Sequence, residues 1–211
     1  MSPKIVDKEQ KRKQIALIAL DVFAEKGFDS ASISDIAIKA GMAKGSVYDY
    51  FKSKDELIFH ALKIWLLMME KAGKEKAGTI SDPVKMLEMM LTGWMDEFLK
   101  DKRMLKLSNA TFQLLMSDKV NKKLKQDFYE ATINPGKDLL VKIFEDGVKK
   151  GIFKRSLLTE GPQLAVSIMA CLDGIGFYYH ITKDGKQMRN QIDIYIKYLI
   201  ASIKKIEGKY R

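Results

Sequence analysis

Cysteine is nearly missing from this 211-residue chain. Cys171 stands alone, so neither an internal disulfide framework nor a cysteine-based zinc site is available. Proline is scarce too, occurring only at Pro3, Pro83, Pro135 and Pro162, which leaves long stretches free to be helical. The two histidines, His60 and His180, lack neighbouring Cys, His or acidic residues in a metal-ligand pattern. No G-x-S-x-G, P-loop or dinucleotide fingerprint is present. Neither catalysis nor a cofactor is therefore expected, and His60, in an apolar helical stretch, reads as packing. The charged opening MSPKIVDKEQKRKQ lacks the apolar centre of a signal peptide. The densest apolar run, Ile64 to Met69, is far shorter than a bilayer span. These absences lead us to expect a cytoplasmic protein without a membrane partner.

What is present is a foldable balance of 46% hydrophobic and 30% charged residues, enough for a substantial core in one domain or two small ones. The net charge of +10 points toward a polyanion, yet residues 1–60 are almost neutral, with ten Lys and Arg against nine Asp and Glu. Ile15, Ile18, Ala19, Val22 and Phe23 recur at helical spacing, and Gly27 supplies a stop that brings Phe28 back toward Phe23. Ser32 and Asp35 have the spacing of a capping box for a second helix, which Gly41 ends. A third short helix runs from about 43 to 51, and Ser53 with Glu56 opens a long fourth. Asp82-Pro83 opens a helix to about 100, followed by segments over 102–116 and 118–150, the latter with a bend near Pro135. Thr159 to Thr182 and Gln187 to Glu207 complete the chain. We read it as all-α with about nine helices. A helix-turn-helix head is expected at 1–53, with its motif at about 32–51, and a larger body at 54–211.

Two short helices joined by a glycine turn and backed by a third form a helix-turn-helix pattern. At 100° per residue Val47 and Phe51 point inward on the third helix, while Gly45, Ser46 and Asp49 centre the outer face. Lys44 and Tyr48 flank that face on one side and Tyr50 on the other. In a major groove Lys44 suits a guanine, Gly45 allows close backbone approach, and Ser46 fits base or phosphate. The tyrosine hydroxyls suit phosphates, and Tyr48 a thymine methyl as well. Lys54 opposes the dipole of its own helix, which makes sense beside a phosphate. Asp49 either accepts from a cytosine amino group or restrains non-specific binding. Ser32, at the start of the motif, is counted with this set. Taken singly, each residue is also explained by ordinary packing or solvation; the joint arrangement points to duplex DNA. Lys11, Arg12 and Lys13 read as a solvated helix start or as an arm reaching a groove.

The stretch AEKGFDSASISDIAIKAGMAKGSVYDYFKSKDEL resembles the TetR family of transcriptional regulators. Phe23, Gly27, Phe28, Asp35-Ile36-Ala37, Ala40-Gly41, Lys44-Gly45, Tyr48, Tyr50-Phe51 and Ser53-Lys54 carry the resemblance, which is specific over residues 8–60. Ala43 departs from it, standing where the family often has Ser or Thr. The resemblance implies a homodimer on a near-palindromic operator, with a small, mostly apolar effector releasing a repressor. An architectural DNA-binding protein, an activator without a ligand, and a helical adaptor are the alternatives.

In the body, Leu164, Ile168, Cys171, Ile175 and Tyr179 precede a stripe of Ile192, Tyr195, Ile196, Leu199 and Ile203. As a helix pair these residues read as intramolecular core, or, on the family resemblance, as a dimer seam. Trp65, Met68, Met69, Met89, Met90, Trp94, Phe112, Met116 and Phe128 read as core or, on the same resemblance, as the lining of an adaptable ligand chamber. Asn109, Gln113 and Asp173 are the candidate polar anchors of that chamber.

Overall fold

Local capping rules account for most element boundaries in the computed structural model, which describes residues 7–77, 80–100, 102–118 and 120–205. The side chains at 69, 70, 72–74, 76, 77, 94, 97, 98, 102–105 and 109 fall outside that description. Nine helices are found among the described residues, as the periodicity predicts, in the order α1 (Lys8–Lys26), α2 (Ile33–Lys39), α3 (Lys44–Tyr48), α4 (Lys54–Ala77), α5 (Pro83–Lys100), α6 (Lys102–Met116), α7 (Lys122–Lys149), α8 (Leu157–Thr182) and α9 (Gly185–Ile203). The last of these ends at Ile203, short of the predicted Glu207, which lies outside the described residues. Helix α7 continues through Pro135.

Two compact units emerge, and their division does not fall at residues 53–54. The first is Met1–Lys71 with Asp101–Thr132, the second Ala72–Lys100 with Ile133–Arg211. The first therefore holds the head together with the start of α4, α6 and the start of α7, for a plain reason. Leu57, Ile58, Ala61 and Leu62 of α4 and Phe128 of α7 belong to the same buried cluster as Ile15, Phe23, Ile36 and Val47. Phe59 and Phe128 meet with ring centroids 5.1 Å apart. Three short helices bury little apolar surface alone, so the head borrows core from the helices that follow it.

In the second unit α9 packs on α8 and α5, burying Ile168, Met188, Ile192, Ile196, Leu199 and Ile203. Phe153 and Lys204 form an isolated antiparallel bridge. Helix α8 is the one helix among the described residues long and apolar enough to cross a membrane. Its mean hydropathy is 1.4 and only 11% of that window is buried.

Candidate nucleic-acid interface

The frame of the interface is set by hydrogen bonds between near neighbours. Ser32 Oγ accepts from the Asp35 amide at 3.1 Å and the Ser32 amide donates to Asp35 Oδ2 at 2.8 Å, the predicted capping box. Lys26 Nζ also donates to Asp35 Oδ1 at 2.5 Å, and with Ser32 it pulls the carboxyl down to about 2. Gly41 ends α2 with φ 65°, the Gly41 amide donating to the Ile38 carbonyl at 3.1 Å and the Met42 amide to Ala37 at 3.0 Å. That is a Schellman turn, and only glycine takes its left-handed conformation without strain. Gly27 has φ 79° and ψ 160°, an extended positive-φ conformation open essentially to glycine rather than the left-handed helical one. As predicted, the turn brings Phe28 onto Phe23, ring centroids 5.7 Å apart.

On this frame α3 shows the two-sided character read from its sequence. Val47 and Phe51 are buried, while Lys44, Gly45 and Asp49 are exposed and Tyr48 is 48% exposed. Ser46 is half-buried. No side chain caps α3, because Ala43 at its N-cap has no oxygen to offer. Two members of the predicted set are placed differently. Tyr50 packs, partly buried, against the core cluster. Lys54 folds back onto the α1–α2 connection, its Nζ 4.3 Å from the Phe28 ring centre and 3.3 Å from the Asp29 carbonyl oxygen that accepts from it. Burial pulls its pKa down, opposed by Asp29 and Asp55. The cation that opposes its own helix dipole therefore has partners within the chain. The Ser32 hydroxyl is likewise engaged, donating to Asp35 Oδ2 at 2.7 Å.

Sequence reasoning placed Arg12 only in a solvated helix start or groove arm, and did not single out Ile38. Arg12 Nη2 donates to Glu56 Oε1 at 3.2 Å, and its guanidinium carbon lies 4.7 Å from the Phe51 ring centre. Glu56 accepts in turn from the Lys52 amide at 2.8 Å, and the Glu56 amide donates to Ser53 Oγ at 3.0 Å. One arginine thus ties the start of α1 to the first turn of α4 and to the residue ending the recognition segment. The His60 ring lies tilted against Phe51, centroids 5.4 Å apart, and burial, with Arg12 and Lys63, pulls its pKa down. This cluster lines an open cleft of about 190 Å³ with Phe59, Asp127 and Phe128. Only the charge and the i, i+44 pairing distinguish Arg12, and nothing local in sequence carries that pairing. Ile38 is 79% exposed on α2, an apolar side chain that the α2 periodicity leaves on the outer face.

The chamber residues fall into both units. In the first, Phe128 is buried, Trp65 packs partly buried against the core, and Met68, Phe112, Gln113 and Met116 are exposed. In the second, Met89 and Met90 are half-buried. The residue Asp173 is exposed, yet burial of its carboxyl pushes that pKa up. The side chains of Met69, Trp94 and Asn109 lie outside the described residues.

Of the ten residues read as core or seam, five are core. Ile168, Ile192, Ile196, Leu199 and Ile203 are buried inside the second unit, so they offer no surface to a partner. Leu164, Ile175 and Tyr179 are half-buried, and so are Cys171 and Tyr195, which meet one another. Burial, and then Cys171, pushes the Tyr195 hydroxyl up to about 12. The exposed large apolar side chains of the same two helices are Leu158, Val166, Phe177, Tyr178 and Ile181 on α8 and Ile194 and Tyr198 on α9. The strongest periodic stripe went to the monomer core, which leaves a second apolar face outside.

This head geometry defines a helix-turn-helix of the kind found in bacterial regulators. Residues 18–61 match the family described as bacterial regulatory proteins, tetR family. Over 162 residues it is 25% identical to YerO, an uncharacterized HTH-type transcriptional regulator of Bacillus subtilis, covering 72% of this chain and 53% of YerO. It is 26% identical to the HTH-type transcriptional repressor KstR2 of Mycolicibacterium smegmatis over 70% of this chain and 69% of that protein. The chain thus spans about half of YerO's length. Its fold is that of the transcriptional regulator FadR of Bacillus subtilis, solved with stearoyl-CoA. The TM-score is 0.74 at 20% identity, over 89% of this chain and 96% of that one.

Proposed function

We propose that this protein is a sequence-specific DNA-binding transcriptional regulator acting as a homodimer. The observation that carries the reading is the two-sided α3. Val47 and Phe51 anchor it, and Lys44, Gly45, Tyr48 and Asp49 face outward on a glycine-turned helix pair. A helix so presented enters a major groove, with Lys44 directed to a base and Tyr48 to a phosphate or thymine methyl. Tyr50 and Lys54 serve instead to hold α3 and α4 in place. The exposed faces of α8 and α9 support a second copy as partner. Two-fold symmetry would then set two recognition helices roughly 34–36 Å apart on a near-palindromic operator. The repressor KstR2 and the acyl-CoA-bound FadR support repression relieved by a small, largely apolar effector. Such an effector works only through unequal affinity for the DNA-competent and released states. Action on DNA is consistent with the expected cytoplasmic location.

Selection of bound duplexes from random DNA tests the reading. A two-fold related consensus is expected, with Lys44→Ala changing base preference at one position per half-site. Tyr48→Phe should weaken all duplexes similarly, and log affinity should fall linearly with log salt. Retention of no duplex at low ionic strength would refute it.

A further inference from the structure

A second concavity lies in the second unit, apart from the surface assigned to DNA. Where α7 ends, Gly151 turns the chain at φ 72° and the Ile152 amide donates to the Gly147 carbonyl at 2.8 Å. Residues 152–154 then pair with 203–205. The Lys154 amide donates to the Ile203 carbonyl and the Lys205 amide to the Ile152 carbonyl, each at 2.9 Å. Phe153 is buried against α7, so close to Gly147 that a Cβ there would overlap its ring. The backbone pairing and this contact fix the walls of a cavity of about 540 Å³.

Its apolar surface comes from Val148, Phe153 and Leu158 and its charge from Lys154, Arg155 and Lys205, with no carboxylate among the described residues of the lining. Among the described residues none of these three cations makes an ion pair or a side-chain hydrogen bond. Nearby Lys150, by contrast, is matched by Asp146 at 2.7 Å and by the Ser81 carbonyl at 2.5 Å. Dipole compensation accounts for Lys205 beyond the C-terminus of α9, but not for Lys154 and Arg155, which precede the positive end of α8. Lys54 has a comparable placement and is satisfied by Phe28 and Asp29; Lys154 and Arg155 have no such partners among the described residues. Three like charges around one apolar floor are complementary to an anion with an apolar tail, and the volume is that of a small-molecule site.

We propose that this cavity binds a small amphipathic anion, an apolar chain ending in a carboxylate or phosphate. The cations take the head and Val148, Phe153 and Leu158 take the tail. The inference does not rest on the DNA-binding reading. Octyl phosphate titrated calorimetrically into the full-length protein, without DNA, tests it. Octanol and inorganic phosphate serve as companion probes. Octyl phosphate should bind the wild-type chain, and Lys154→Gln/Arg155→Gln/Lys205→Gln should weaken it about tenfold. Lys122→Gln/Lys123→Gln/Lys125→Gln, which removes equal charge elsewhere, should leave it unchanged. Octanol binding as tightly would remove the need for an anion, and inorganic phosphate binding as tightly would remove the need for a tail. Either result, equal affinity in the cavity variant, or equal loss in the control variant overturns the proposal.

Discussion

Replacing Arg12 by alanine should loosen the recognition helix although Arg12 lies 32 positions before Lys44. The substitution removes a charge-assisted hydrogen bond of 3.2 Å to Glu56 and the contact of the guanidinium with Phe51 at 4.7 Å. Such a hydrogen bond contributes about 1.5–3 kcal/mol when shielded and about 0–1 when exposed. With the two side chains 24% and 27% exposed, roughly 1 kcal/mol is the reasonable share. The ring contact adds about 0.5–1 kcal/mol. Arg12 Nε is buried without a hydrogen-bond partner, which trims the gain. A net loss of about 1–2 kcal/mol follows, equivalent to a drop in Tm of roughly 2–8 °C. Thermal melts followed by circular dichroism read it, and duplex affinity should fall in parallel as Phe51 and the first turn of α4 lose their common tie. Arg12→Lys keeps the charge without the planar fork and should recover less than half. In a double-mutant cycle with Glu56→Gln, which keeps an acceptor for Lys52, a coupling near 1 kcal/mol is expected. A Tm within about 1 °C of wild type, with coupling below ~0.3 kcal/mol, would refute the linkage.

Other outcomes follow from the same structure. The Asp35 carboxyl is held at about 2 against an ordinary 3.8, so its stabilising effect is complete above about pH 4 and disappears as the pH falls to about 2. In acid titrations wild type and Asp35→Asn should therefore converge near the lower end; a constant gap would show that the cap does not titrate. Gly147→Ala must push Phe153 out of place and should cost about 1–3 kcal/mol in denaturant melts. Gly93→Ala, in α5 with open space at the new Cβ, should instead gain about 0.5–1 kcal/mol. Phe177, 62% exposed, and Tyr198, 68% exposed, belong to the proposed dimer face. Sedimentation of Phe177→Glu/Tyr198→Glu should show monomers where wild type shows dimers, and an unchanged dimer would move the interface elsewhere.

Where sequence reasoning succeeded, the interactions were short in sequence. The Ser32–Asp35 box, the Gly41 turn, Asp82-Pro83 and the Phe23–Phe28 contact each involve residues within a turn or two, and each sits where its pattern predicts. The inward aim of Val47 and Phe51 follows from helical period alone. It could not choose where a side chain had more than one available partner. Lys54 beside a helix N-terminus asks for negative charge or its equivalent. Phosphate and the Phe28 face with the Asp29 carbonyl answer that request equally well in sequence. Tyr50 was one position from either face of α3, and core packing took it.

By itself, then, the amino-acid order determined the helices, their caps and the two-sidedness of α3. Backbone hydrogen bonding and steric limits act between near neighbours and are written in the local order of residues. Tertiary structure alone decided that the Ile192–Ile203 stripe faces inward, that a second apolar face of α8 and α9 stays outside, and that Arg12 finds Glu56 across the first unit. Hydrophobic burial is non-directional: periodicity says that a face must be covered, but only the packed chain says by what.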